Sequence, residues 1–229
     1  MHGADWYYDD RRQVGIDFAD EAQVDSYDAR QGNTSAADRK LLAKLGVRDC
    51  QTLADIGCGT GGLACEAAQR CSLVHAIDVS APMLQAAKSR AACLNISNLR
   101  FQLAGFLSFD LPARSLDWVT TRAALHHLPD FWKGVALTRV HAALKTGGRL
   151  YIEDVVFSCS PDLIPQTVEN WAAWMTANTG YMRADVATHV REEHSTFSWI
   201  MEGLIERAGF RLLDAEYERE VYGRYVAQA

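Results

Sequence analysis

Short apolar runs and longer mixed stretches alternate along the chain from about residue 50 to 160. The short apolar runs predict strands at 52–56, 73–78, 99–104, 116–121 and 149–156. The stretches between them carry helical spacing near 60–70, 81–94 and 131–144. Strand alternating with helix predicts a parallel α/β sheet. Ser80 is placed to cap the second helix with Pro82 in its first turn, and Asp130 to cap the third. Gly147-Gly148 is read as the stop of that third helix and the turn into the fifth strand. The last thirty residues then predict a helix at 198–208, a stop at Gly209 and two strands, 210–216 and 220–227.

Where the first apolar run ends, the chemistry begins. Residues 53–62 read Leu-Ala-Asp-Ile-Gly-Cys-Gly-Thr-Gly-Gly, so a carboxylate, Asp55, precedes a turn that is mostly without side chains. Such a turn lets bare backbone approach a ligand, and a following helix directs its positive end to the same place. The second run ends in Asp78, a carboxylate able to accept both hydroxyls of a ribose. Together these features describe a nucleoside crevice. Gly57-Cys58-Gly59-Thr60-Gly61-Gly62 also satisfies G-x-G-x-x-G, which on its own permits an NAD(P)-dependent oxidoreductase. Asp55 argues against a pyrophosphate, because anion beside anion is repulsive. It suits a ligand that places a cation there, such as the ammonium of S-adenosylmethionine.

Three further stretches extend the pattern: "IDVSAPML" (77–84), "SLDWVTTRAALHHLPD" (115–130) and "LKTGGRLYIED" (144–154). With the glycine loop they resemble the class I S-adenosylmethionine-dependent methyltransferases, in particular the small-molecule branch that includes quinone-biosynthesis enzymes. The resemblance runs from about Tyr27 to Asp154, with Thr146 where that family usually has proline. It implies a Rossmann-like, doubly wound, mostly parallel seven-stranded sheet with an antiparallel C-terminal hairpin strand and a helical lid. The implied divisions are an N-terminal arm (1–35), a cofactor-binding core (36–157), a lid insertion over the acceptor (158–197), and a C-terminal helix and hairpin (198–229) that complete the sheet.

The resemblance also implies a cofactor site. Asp55 would meet the methionine ammonium, Gly57, Cys58, Gly59 and Gly61 would allow close approach, and Asp78 would hold the ribose. Val79 and Met83 would pack near the adenine, Arg122 and Ala123 would line the sulfonium end, and Tyr27 would lie over the methionine part. The family often has an acid after the third strand to receive the adenine amino group. This chain has Ala104-Gly105-Phe106 instead, leaving backbone contacts and a Phe106 wall.

Methyl transfer is a direct displacement, so the protein chiefly aligns the acceptor and excludes water, and a base is needed only for a protonated acceptor. His126 or His127 is a candidate base, since imidazole titrates near neutral pH. The stronger reading makes the pair a structural fixture, because adjacent residues on a turn do not both point into one pocket. Tyr27, His127, Trp171 and His194 are candidates for the acceptor pocket, and for the tryptophan packing against the core competes on equal terms. His189-Val-Arg-Glu-Glu-His194 has one residue more than the helical zinc motif H-x-x-E-H. Positions five apart on a helix diverge by about 140°, so no metal site is expected.

Composition narrows the partners. The 229 residues carry a net charge of −6, which disfavours a polyanion partner, and the six cysteines show no C-x-x-C spacing. No run reaches the length of a membrane span and the first residues lack a basic-then-apolar signal, so a cytoplasmic location is expected. The expected function is transfer of a methyl group from S-adenosyl-L-methionine to a small molecule, with S-adenosyl-L-homocysteine as product. No nucleic acid or membrane partner is expected, and monomer and homodimer stay open. A nicotinamide oxidoreductase and a non-catalytic S-adenosylmethionine-binding protein are the alternatives.

Overall fold

The computed structural model describes residues 5–11 and 34–229. Tyr27, assigned above to the cofactor and acceptor sites, lies outside the described residues. Helix α1 (Ser35–Leu45) starts at Thr34, whose side chain accepts the Ala37 N–H, and stops at Gly46 in the left-handed region. Then follow β1 (Thr52–Ile56), α2 (Gly62–Ala68), β2 (Leu73–Asp78), α3 (Ala81–Cys93), β3 (Leu99–Leu103), β4 (Leu116–Arg122), α4 (Asp130–Ala143) and β5 (Leu144–Phe157). Two helices, α5 (Ile164–Asn178) and α6 (Arg183–Glu192), precede the short β6 (Thr196–Phe197). Helix α7 (Ser198–Arg207) and the hairpin β7 (Arg211–Glu218) and β8 (Tyr222–Gln228) end the chain.

The sheet order is β3-β2-β1-β4-β5-β8-β7, with β6 paired to β5 off this path. Strands β1 to β5 are parallel, and β8 runs antiparallel to both β5 and β7. Side chains alternate between two cores, as strand pleating requires. Ala54, Ile56, Val119, Leu150 and Ile152 join Leu137, Val140, Met201 and Ile205 of α4 and α7 on one face. Leu53, Val74, Trp118 and Tyr151 join Leu42, Leu63 and Leu84 of α1 to α3 on the other. The sheet is therefore doubly wound. Its strand order reverses between β1 and β4, and in such sheets ligands bind outside the carboxyl ends of the strands at that reversal.

Three details differ from the pattern-based expectation. The glycine pair does not stop α4, which ends at Ala143; β5 begins at once and Gly147-Gly148 lies within it. Gly147 adopts φ +79° and the β4–β5 register shifts between Leu116 and Trp118, so the glycines make an irregularity inside the strand. Asp130 is the first helical residue of α4 rather than its cap, and the flanking position is Pro129. The Asp130 carboxylate instead accepts Lys133 Nζ at 2.8 Å and Thr196 Oγ1 at 2.9 Å, tying α4 to β6. The third difference is β6 itself, an eighth strand beside the expected seven. Ser80 does cap α3, accepting the Met83 N–H, with Pro82 in the first turn.

Candidate active site

The glycine loop is shaped by its backbone. Gly57, Gly59 and Gly61 all have positive φ, and a Cβ on Gly57 would stand 2.3 Å from Ala124 Cβ. A Cβ on Gly61 would come within 2.8 Å of Ala87 Cβ, so α2 packs on α3 only because that atom is missing. The loop is fastened from β2: the Gly57 and Cys58 N–H groups donate to Ile77 O at 2.8 and 3.0 Å, and Gly59 N–H donates to Asp78 Oδ2 at 2.8 Å. The other Asp78 oxygen accepts Ser80 N–H at 2.8 Å, and burial raises its carboxyl above the ordinary range.

Asp55 is buried and accepts the Thr120 hydroxyl at 2.7 Å. Burial pushes its pKa up to about 6, against the opposing pull of Arg122. Arg122 closes β4 and pairs with the buried Asp38 of α1 at 2.9 Å. Sequence reasoning missed Asp38, because nothing local marks a helix-borne acid as the partner of a strand-end arginine 84 positions away.

A cavity of about 650 Å³ opens from this point. One end is walled by Asp55, Gly57, Cys58, Thr60, Gly62, Arg122 and Ala123, and the other by Trp174, Met175, Tyr181 and Tyr222. Between them stand Glu153 and Arg224, with Arg224 Nε 2.8 Å from Glu153 and its Nη2 2.7 Å from Glu218. Gly59, Gly61, Asp78, Val79, Met83, Ala104, Gly105 and Phe106 are not part of this wall. Met83, Ala104 and Phe106 are buried, and Val79 is half-buried. Asp10 of the N-terminal segment reaches this second group: its carboxylate accepts Leu107 N–H at 2.7 Å and lies where a Gly105 Cβ would be, 2.4 Å from that position.

The acceptor candidates separate. Trp171 is 4% exposed, donates its indole N–H to Tyr222 Oη at 2.8 Å and packs edge-on against Phe157 and His189. The tryptophan on the cavity wall is Trp174, one turn along the same helix, with the Arg219 guanidinium 4.2 Å from its ring centre. His194 lies past the end of α6, where its N–H donates to His126 O at 2.8 Å and its carbonyl accepts Lys133 Nζ.

The two histidines have unlike surroundings. Both ring nitrogens of the buried His126 meet carboxylates: Nδ1 contacts Asp154, and Nε2 is 3.1 Å from Glu193. Burial opposes the imidazolium, but Asp154 and then Glu193 override it and push the pKa up to about 9. His127 is pushed down to about 3 by burial and by the neighbouring His126. Asp154 also accepts the Leu125 and His126 N–H groups at 2.8 and 3.2 Å, so the pair serves to anchor the 3-10 turn Leu125–His127.

Residues 48–216 match the family described as "Methyltransferase domain". The chain belongs to that family. It is 26% identical over 202 residues to an uncharacterized methyltransferase of Geobacillus thermodenitrificans, covering 88% of each chain. In fold it is similar to a SAM-dependent methyltransferase from Aquifex aeolicus (TM-score 0.65, 18% identity, 91% of this chain and 98% of that one). It is also similar to phosphoethanolamine N-methyltransferase 2 of Haemonchus contortus in complex with S-adenosyl-L-methionine (TM-score 0.65, 20% identity). That match covers 89% of this chain and 46% of that one. The chain is thus a methyltransferase that shares its doubly wound sheet with SAM-dependent methyltransferases of known structure. No helix among the described residues is long and apolar enough to cross a membrane.

Proposed function

We infer that the enzyme transfers the methyl group of S-adenosyl-L-methionine to a small molecule held in the far half of the cavity. The observation that carries this reading is the continuity of one cavity from Asp55 and the glycine loop to Trp174, Met175, Tyr181 and Tyr222. A cofactor whose ammonium meets Asp55 and whose ribose meets Asp78 has its sulfonium between those two carboxylates, beside the glycine loop from which the cavity opens. Arg122, a cation, suits the cofactor carboxylate better than the sulfonium. Asp10 would brace the turn Gly105–Ser108 beside the adenine position, next to Val79, Met83, Ala104 and Phe106.

Helices α5 and α6, in the 158–197 insertion, act as the lid, and residues 36–157 form the cofactor-binding core. On the acceptor side Trp174 and Met175 replace Trp171 as the wall. The Glu153–Arg224–Glu218 group supplies the polar contacts. His126 is not in a position to take a proton from an acceptor, since both its nitrogens are committed to carboxylates. Catalysis then rests on alignment and exclusion of water.

Calorimetric titration with S-adenosyl-L-methionine, S-adenosyl-L-homocysteine and NAD(H) tests the reading, followed by a screen of small acceptors. The expected result is micromolar binding of both adenosyl ligands and methyl transfer to at least one small acceptor. Binding of NAD(H) in their place would return the oxidoreductase alternative. Adenosyl binding with transfer only to nucleic acid or protein would overturn the small-molecule assignment.

A further inference from the structure

The polar cluster beneath α6 has an arrangement that anchoring a turn does not require. His126 Nε2 faces Glu193 Oε2 at 3.1 Å, and His189 Nδ1 contacts the same carboxylate oxygen. The outer nitrogen of each ring is held by its own partner: His126 Nδ1 by Asp154, and His189 Nε2 by Ser195 Oγ at 2.7 Å. His127 offers a third ring nitrogen, within 4.8 Å of the donor atoms of His126 and Glu193. The side chains of His126, His189 and Glu193 are 7%, 13% and 4% exposed.

An imidazole nitrogen facing a carboxylate oxygen either donates its own N–H to that oxygen or shares a metal ion with it. Rings whose inner nitrogens converge while the outer nitrogens are fixed by a carboxylate or hydroxyl follow the pattern of metal-bound histidine. Two buried carboxylates, Asp154 and Glu193, carry the charge that a divalent ion held by neutral imidazoles would balance. Imidazole nitrogen with one carboxylate oxygen suits Zn²⁺ or a neighbouring first-row ion, whereas Mg²⁺ and Ca²⁺ prefer all-oxygen sites.

We propose that His126, His127 and Glu193, with His189 as a further donor, form a binding site for a divalent first-row transition ion, with Zn²⁺ the best match. Two of these ligands lie on or just past α6, at i and i+4, and the others on the turn after β4. The ion would clip the outer helix to the core beside the cavity, since Asp154, which holds His126, also lines that cavity. The site stands apart from the acceptor assignment, because it rests on residues outside the proposed cofactor and acceptor contacts.

The test is zinc retention by the full-length protein after incubation with Zn²⁺ and desalting, with X-ray absorption at the zinc edge. The expected result is more than half an equivalent per chain, with nitrogen and oxygen neighbours only, at about 2.0–2.1 Å. His127→Ala and Glu193→Gln should each weaken zinc binding at least tenfold, and Ser195→Ala less, through the orientation of His189. Retention below half an equivalent, or sulfur among the neighbours, would overturn the site, as would wild-type affinity in the two ligand variants. The absorption spectrum of the wild type decides the matter even if a variant fails to fold.

Discussion

The two ends of the cavity are built by different means. At the glycine loop the shape comes from backbone: positive φ angles, missing Cβ atoms and N–H groups fastened to Ile77 and Asp78. At the far end it comes from side chains of separate elements, Trp174 and Met175 of α5 with Tyr222 of β8. Backbone shape is unforgiving of single atoms, whereas a side-chain wall can be rebuilt without disturbing the fold. In the proposed function the backbone-built end serves the cofactor and the side-chain-built end sets the choice of acceptor.

Substitutions should fall in that order. The largest effect is expected from Gly57→Ala. The new Cβ would meet Ala124 Cβ at 2.3 Å in a left-handed conformation. Overpacking and the backbone strain together cost on the order of 2–5 kcal/mol. Cofactor binding measured by calorimetry should be lost, and the melting temperature should fall. Asp78→Asn comes next. It weakens two charged hydrogen bonds that hold the loop, and adenosyl affinity should drop about ten- to a hundredfold, with acceptor KM little changed.

The pH dependence separates the two ends. Asp55 must be ionised to meet an ammonium, and its pKa is pushed up to about 6. Affinity for S-adenosyl-L-methionine should therefore fall about tenfold per pH unit below 6, and Asp55→Asn should flatten that profile. Folding stability responds with the opposite sign. The folded chain keeps this proton to a higher pH than the ordinary 3.8, so the Asp55 contribution is fully present below 3.8 and is lost as pH rises towards 6.

Trp174→Ala should spare cofactor affinity and raise acceptor KM about tenfold, the reverse of the Asp78 result. The smallest effect is expected for Asp10→Ala, which frees the Leu107 N–H and the turn beside Gly105. A loss of adenosyl affinity of less than about tenfold, read by the same titration, fits a single hydrogen-bonded brace.

The same division governs what was legible along the chain. Strands β1 to β4, the Ser80 cap and the glycine loop are local patterns, written in apolar periodicity and in residues with special backbone properties. The stop assigned to Gly147-Gly148 failed because a left-handed glycine serves a strand irregularity as well as a helix end. Asp130 resembled a cap because the partner it holds instead, Thr196, is 66 positions away. Choosing Trp171 over Trp174 turned on which side of α5 faces the sheet, and both tryptophans satisfy the same apolar pattern. In the cluster under α6, spacing rejected His189 with His194. The pairing that forms is His189 with Glu193, one helical turn apart, completed by a histidine more than sixty residues upstream.

A crystal structure with S-adenosyl-L-homocysteine tests the shared-cavity account most directly. The account predicts the ribose hydroxyls on Asp78, the ammonium near Asp55, and the sulfur directed along the cavity towards Trp174 and Tyr222. A ligand seated on the glycine loop with its sulfur turned away from that end, or bound elsewhere on the sheet, would contradict it.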